Sequence, residues 1–519
     1  MHRPPTAEQQ VAAELADVRP GLVPRYAAEL PGARAAVLTR LWRALAYEPL
    51  PWIARRTAGA YGLALRLADG RTLDGPPADP YATDAYVTAV RVDGVTYDDP
   101  ARLMTDLAVP HAAGFAAELG HSVASLALSR AGQPAGAAGW PERDWEWEQR
   151  VVDGHPYHPN CRARPGFSAA EQFAYGPEHR PVVELGTVPV RPEECLLTGS
   201  WPEELRDGER LLIPVHPWQA AHVLKIPDDG APAAGAGDVG AGEVGMAAHP
   251  LMSLRTLALP GGPHIKTALS ARLTSSVRDI SVYSVGASAT LSSFAQDLVA
   301  RTDGLLHATR TLGAITADSP DLAAMLRESP EAYAAPGERV LPVAALATTE
   351  LPNSPEWLAE FARLALTVGL RLLDLGVALE AHGQNLLVIL SATGRPLRLV
   401  YRDLADIRIS PARLARHGIP RPELTGRLIT DDETTLRRKL FGSLVAGALA
   451  ATAGSAPALA AALETAVRDV PSTSDLTALL EGPLPTKALT LMRLSPETPG
   501  DQWATLPHPY VLECGTSGQ

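Results

Sequence analysis

Trp357, Phe361, Leu364, Val368, Leu372 and Leu375 recur at spacings of three and four, the apolar stripe of a helix that lays one face on a core. Ser354-Pro355-Glu356 supplies an N-cap with proline at the first helical position, and Gly376 supplies the stop. Beyond that glycine the period changes. Glu380 to Asn385 is polar, Leu386 to Leu390 is an apolar run, Ser391 to Arg395 reads as a turn, and a second apolar run from Pro396 to Tyr401 ends in Arg402-Asp403. The order is helix, polar loop, β-hairpin, acidic residue. It would set Glu380, Asn385 and Asp403 around one point at a sheet end, an oxygen-rich corner of the kind that suits Mg²⁺ carrying a nucleotide's phosphates.

The remaining patterns divide the chain into three. Residues 7 to 48 read as Ala-rich helix broken at Pro20 and Pro31, residues 52 to 100 as small strands joined at Asp69-Gly70 and Asp93-Gly94, and residues 103 to 130 as helix again. The Gly/Ala/Pro stretch Ala131 to Gly139 is a domain boundary by composition. From about 140 to 350 short β-compatible runs dominate: Pro181 to Val190, Leu211 to Val215, Leu251 to Leu259 and His264 to Leu269. The Asp228 to Gly245 segment, nearly all Gly, Ala, Asp and Pro, reads as a surface insertion without a core of its own. Residues 436 to 490 are Ala/Leu-rich helices. The expected class is α+β, in three parts: a mixed, mainly helical 1–135, a β-rich 136–350 and a mainly helical 351–519.

Composition narrows the partners. The chain has 519 residues, 46% of them apolar and 20% charged, the balance of a soluble globular protein. A net charge of −12 argues against nucleic acid, so any polyanion must be met by a local cation cluster. Three widely spaced cysteines, Cys161, Cys195 and Cys514, indicate neither a disulfide framework nor a zinc knuckle. The first residues lack an apolar signal core and no run of about 18 apolar residues occurs, so a cytoplasmic protein is expected.

Three further stretches concentrate cations. Gly154-His-Pro-Tyr-His-Pro-Asn-Cys-Arg-Ala-Arg-Pro-Gly-Phe-Ser168 holds His155, His158, Arg162 and Arg164 in a loop stiffened by prolines. Ile213-Pro-Val-His-Pro-Trp-Gln219 puts His216 at a strand end. Between Ser253 and Arg278, a hairpin turning at Gly261-Gly262 would bring Lys266 beside Arg255, and Thr274 and Arg278 would share one side of a helix if that segment is helical. Cations and hydroxyls converging on a sheet face are costly unless a polyanion occupies them. With the oxygen-rich corner opposite, the reading is a nucleotide-dependent reaction on an anionic substrate. No Walker-type loop or dinucleotide fingerprint competes with it. Asn before Asp around a hairpin is reminiscent of protein-kinase metal ligands, as an analogy.

GHPYHPNCRARPGFS, IPVHPWQ, MSLRTLALPGGPHIKTALSARLTSSVRDI and EAHGQNLLVIL…YRDLADIRI, in that order, resemble the signature motifs of the IucA/IucC family, the NRPS-independent siderophore (NIS) synthetases. The resemblance spans roughly 150 to 410 and implies a hand-like fold of thumb, β-rich fingers and helical palm, with ATP between fingers and palm. It implies adenylation of a carboxylic acid, commonly citrate, followed by attack of an amine or hydroxyl on the acyl-adenylate. By resemblance, His158, Arg164, Ser253, Arg255, Lys266, Arg278 and Gln384 would hold the nucleotide, and Glu380, Asn385 and Asp403 would face Mg²⁺. Thr274, Ser275, Arg278 and His382 would bind the acid; Arg278, His382 and Lys266 carry the catalytic roles, with His382 a weaker candidate for deprotonating the nucleophile. A homodimer is also implied. One departure is Arg162, where the first motif commonly has lysine; a bidentate fork is not a point charge. Two alternatives stay open, a kinase-like phosphotransferase and a non-catalytic module binding an anionic chelate.

Overall fold

The computed structural model describes residues 5–84, 86–136, 139–226, 242–273 and 276–511. Helices Ala7–Val18 and Val23–Tyr47 open the chain, the first closed by a capping box between Thr6 and Gln9. Pro20 starts a short 3₁₀ turn, but Pro31 breaks nothing. It sits on the exposed face of the second helix, whose following half is buried against the N-terminal core, so packing overrides the proline. Five short strands between Ile53 and Tyr97 form an antiparallel meander in sequence order. The Asp93-Gly94 corner has positive φ at both residues (46° and 84°), the hairpin turn that such a pair favours. Helices Pro100–Leu107 and Ala112–Ala131 then cover this sheet.

Nine strands make the central sheet. Across it the order is Leu196–Gly199, Thr311–Thr316, Ala323–Arg327, His264–Thr267, Thr256–Ala258, Gly242–Pro250, Val183–Val190, Arg210–Val215 and Arg206–Asp207, with every neighbour antiparallel. The Gly/Ala-rich insertion lies largely outside the described residues, and its end belongs to strand Gly242–Pro250.

The long helix runs Pro355–Leu375. Ser354 Oγ accepts from Trp357 N–H, and Gly376 closes the helix at φ 108°. A Cβ at Gly376 would also lie 2.9 Å from Leu414 N and Ser410 O, so conformation and space both require glycine. Strands Leu386–Leu390 and Pro396–Tyr401 pair antiparallel through a turn in which Ser391 N–H reaches Arg395 O at 2.9 Å. Their four-stranded sheet is completed by Leu306–Ala308 and Arg339–Pro342, on opposite edges. Both come from before residue 350, so this sheet crosses the boundary drawn there from composition. Its apolar side, the long helix and the C-terminal helices share the largest core. Among the described residues no single helix is long and apolar enough to cross a membrane.

Candidate functional site

The period-two alternation of the central sheet builds one wall. In the paired strands Thr256–Ala258, His264–Thr267 and Ala323–Arg327, the residues Leu257, Ile265, Ala324 and Leu326 point into an apolar core. Their neighbours Thr256, His264, Lys266 and Arg327 therefore share the opposite face. The hairpin turns at Gly261 (φ 70°) as expected, and Thr256 lies opposite Lys266. Arg255, one residue before its strand, donates Nη1 to the carbonyls of Arg278 and Asp279, both at 2.6 Å. This holds strand Ser276–Arg278 against the same wall. That segment is a strand paired with Leu269–Leu273, correcting the helical reading of Thr274 to Arg278: the odd-numbered residues Leu269, Ala271 and Leu273 fill an apolar cluster with Phe167 and Trp218, and period two wins. Thr274 and Ser275 themselves lie outside the described residues.

The hairpin Leu386–Tyr401 delivers the facing wall. It ends in Asp403, held at φ 68°, a left-handed conformation that aspartate tolerates better than most residues. Lys266 Nζ donates to Asp403 Oδ2 at 2.7 Å and Arg327 Nη2 to Oδ1 at 3.1 Å. Desolvation alone would raise the Asp403 carboxyl, but Arg327 and Lys266 hold it well below the usual range. Lys266 is 5% exposed; burial, with Arg327 and Arg255 nearby, brings its ammonium down to about 7 against the pull of Asp403. Arg255 is brought down to about 10 by desolvation, and Arg278 is lowered for the same reason. Four cations thus crowd around Asp403, and three of them have their charged forms disfavoured.

Loop Glu380 to Asn385 folds back on itself. His382 O accepts from Asn385 N–H at 2.9 Å, Gly383 O from Ala344 N–H at 2.9 Å, and Ala381 N–H donates to Ser443 Oγ at 2.9 Å. A Cβ at Gly383 would lie 2.9 Å from Ala344 N, so the close approach needs glycine. His382 Nδ1 accepts from Gln384 N–H at 3.3 Å, and desolvation lowers the ring's pKa. With Nδ1 accepting a backbone N–H, a neutral ring would present Nε2–H as a donor. The Tyr401 hydroxyl links the backbones of Glu380 and Asp403, at 3.2 and 3.5 Å.

The expected metal corner is arranged differently. Glu380 Oε1 accepts from Lys439 at 3.0 Å and Lys487 at 2.8 Å, and the same lysines reach Asp406 and Asp501. Asn385 Nδ2 leans on Glu380 O at 3.5 Å. Both carboxylates are already neutralised by pairs of cations, and among the described residues no group of three or more His, Cys, Asp or Glu is arranged to hold a metal ion.

In the Pro-rich loop, His158 is buried. Desolvation, then the charges of Arg278, Arg40 and Arg493, push it down to about 3. His155 stands edge-on to His158, the ring centroids 6.3 Å apart. Arg164 does not face Asp403. It joins Arg162 on Glu178, with Arg164 Nη1–Oε1 at 2.8 Å and Arg162 Nη1–Oε2 at 3.3 Å, because the loop folds back onto turn Pro177–His179. Burial would raise the Glu178 carboxyl, and the two guanidiniums hold it well below its ordinary value. The departure at Arg162 is therefore part of the loop's foundation. Replacing Glu178 by alanine is expected to cost about 3–5 kcal/mol, the penalty for stranding buried charges, measured by chemical denaturation. His216 is fully buried, its Nδ1 accepting from Trp218 N–H at 3.1 Å, and it caps the turn that stacks Trp218 on Phe167. That motif packs the first loop in place. Ser253 Oγ accepts from Thr256 N–H at 3.1 Å, and Gln384 O from Arg402 Nε at 3.0 Å.

Arg327, Lys439 and Lys487 escaped the sequence reading. One signal points to two of them. Of the 46 lysines and arginines only Lys225, Lys266, Lys439 and Lys487 are lysine, and three of these four meet the carboxylates of this site. In a chain that otherwise uses arginine, the surviving lysines mark positions needing a compact charge.

Fold and site define an α+β protein with a buried cluster of cations around Asp403. Residues 144–348 match the profile of the IucA / IucC family, and residues 355–501 that of the ferric iron reductase FhuF-like transporter. Citryl-spermidine/3,4-dihydroxybenzoyl-citryl-spermidine:spermidine ligase of Bacillus anthracis is 26% identical over 317 residues, covering 50% of this chain and 51% of that protein. N(2)-citryl-N(6)-acetyl-N(6)-hydroxylysine synthase of Vibrio mimicus is 28% identical over 159 residues, 26% of each chain. The sequence matches thus span about half the length of these curated relatives or less. In three dimensions, petrobactin biosynthesis protein AsbB of Bacillus anthracis superposes with a TM-score of 0.73 at 18% identity, over 95% of this chain and 98% of that one. ATP-bound aerobactin synthetase IucA of Klebsiella pneumoniae gives 0.69 at 19%, over 92% and 99%. Over residues 144–348, then, the chain is similar to the IucA / IucC family, and its fold is that of the solved synthetases.

Proposed function

We propose that this protein is an ATP-dependent, AMP-forming synthetase that activates a di- or tricarboxylic acid such as citrate and condenses it with an amine or hydroxyl nucleophile in siderophore biosynthesis. The observation that carries this reading is the cation wall: Arg255, Lys266 and Arg278 are each disfavoured in their charged forms by burial, and a polyphosphate would relieve all three. The citrate-condensing relatives and the ATP-bound neighbour support the acid and the nucleotide.

In this reading Arg255, Lys266, Arg278, His158, Ser253 and Gln384 line the nucleotide. A carboxylate oxygen of the acid attacks the α-phosphorus, the bond to the bridging oxygen breaks, and pyrophosphate leaves. Arg278 and the Nε2–H of His382 hold the acid, and Lys487, the more exposed of the two lysines on Glu380, faces a second carboxylate. Thr274 and Ser275 remain acid-binding candidates. The nucleophile then bonds to the acyl carbon, AMP departs and the nucleophile loses a proton, giving an amide or ester. Mg²⁺ would arrive with the triphosphate to offset its charge, and no step here is routed through it. A hand-like division with the nucleotide between fingers and palm, the kinase-like corner and a homodimer belong to the same proposal. Incubation with ATP, citrate-like acids and hydroxylamine tests it: pyrophosphate and a hydroxamate are expected. ADP would indicate a phosphotransferase, and absence of turnover a binding module.

A further inference from the structure

We infer that the five-residue helix Asp144–Glu148 is a clip that sets the two walls of this site against each other, with Glu148 as its positioning residue. The inference rests on the proposed ATP reading for its assay but on separate residues for its geometry. Glu148 is 1% exposed. Its Oε2 accepts from Met252 N–H at 2.8 Å, and its Oε1 meets Arg402 Nη1 at 2.6 Å. Met252 immediately precedes Ser253-Leu254-Arg255 on the cation wall; Arg402 immediately precedes Asp403 on the other. Arg402 also donates Nε to Gln384 O and its own N–H to Asn385 O, both at 3.0 Å, so the polar loop is tied to the same carboxylate. At its other end the helix offers Asp144, whose Oδ2 lies 2.9 Å from His264 Nε2, on the face and strand that carry Lys266.

Two left-handed residues show what the clip restrains. Leu254, φ 63°, lies two residues after Met252 and directly before Arg255, and Asp403, φ 68°, directly follows Arg402. Leucine is an outlier in that region, and such a conformation persists only where its surroundings over-determine it. The Leu254 side chain is buried in the apolar cluster with Phe167 and Trp218, which holds it from one side. The Met252 hydrogen bond to Glu148 holds the chain from the other. One buried carboxylate thus joins two loops 150 residues apart in sequence, where a small displacement separates Lys266 and Arg255 from Asp403.

Glu148→Gln keeps the shape and the acceptor for Met252 but leaves Arg402 without its counter-charge. ATP Kd, and KM and kcat for acid-dependent pyrophosphate release, would be measured on folded protein together with Tm. The matched control is Asp475→Asn, which breaks a buried pair with Arg413 among the C-terminal helices. Expected are a fall in Tm for both variants and a rise in ATP Kd and KM of about tenfold to a hundredfold for Glu148→Gln alone. Glu148→Asp, which restores the charge on a shorter arm, should recover part of the affinity, and it takes over as the test variant if the glutamine protein does not fold. Unchanged ATP Kd and KM in a folded Glu148 variant, with wild-type protein binding ATP, would overturn the clip and leave the synthetase reading standing. Wild-type protein that binds no ATP would overturn the synthetase reading itself and this inference with it.

Discussion

Lys266→Met is expected to lower acid-dependent pyrophosphate release by about a hundredfold to a thousandfold, the scale of losing one preorganised charge at a developing oxyanion. The argument is electrostatic. Lys266 shares Asp403 with Arg327, burial and the neighbouring arginines bring its ammonium down to about 7, and a triphosphate would add the negative charge that one carboxylate does not supply. Nucleotide affinity should therefore fall as pH rises from 7 toward 9, because binding to the neutral amine must first take up a proton. Lys266→Arg, charged throughout that range, should flatten the profile. The same shift fixes the sign of one stability term. The unfolded chain keeps that proton to about 10.5 while the fold releases it near 7, so the contribution of Lys266 to stability increases with pH between those values. ATP Kd measured by calorimetry at a series of pH values checks the affinity profile, and chemical denaturation over the same range checks the stability contribution. A slope that persists in the arginine variant would remove Lys266 as its cause.

Arg278→Ala carries the second large effect. Arg255 grips the carbonyls of Arg278 and Asp279, so the Arg278 backbone is held independently of its own side chain, and the substitution should leave the strand in place. The guanidinium stands near His158, Asp403 and Glu380, where nucleotide and acid would meet. Loss of pyrophosphate release of about a hundredfold or more is expected, with KM for the acid rising as well. Arg278→Lys should recover little, because an ammonium cannot reproduce a two-pronged contact with a carboxylate or phosphate. Full adenylation by the alanine variant would refute the assignment of the acid site.

Much of the framework was legible locally. The stripe from Trp357 to Leu375 with Ser354 and Gly376 at its ends, the hairpin around Ser391 to Arg395, and the turn at Gly261 before Lys266 are all present. Each rests on contacts within a few residues: a cap, a left-handed glycine, an alternation of faces. Pro31 and the Ser276–Arg278 segment went the other way, because burial against distant elements overrode the local preference.

The chain alone determined which residue types it had for chemistry and on which faces of which elements they would stand. It determined that Lys266 faces away from the apolar core, that Glu380 to Asn385 must be an irregular polar loop, and that the cations lie in a few stretches of an otherwise acidic protein. Only the tertiary structure decided the pairings. Lys266 meets Asp403, Glu380 meets Lys439 and Lys487, Arg164 turns to Glu178, and Glu148 reaches both walls. The reason is physical: caps and alternation are set by neighbours along the chain, whereas a charge takes the counter-charge that folding brings within about 3 Å, and sequence distance says nothing about which one that is.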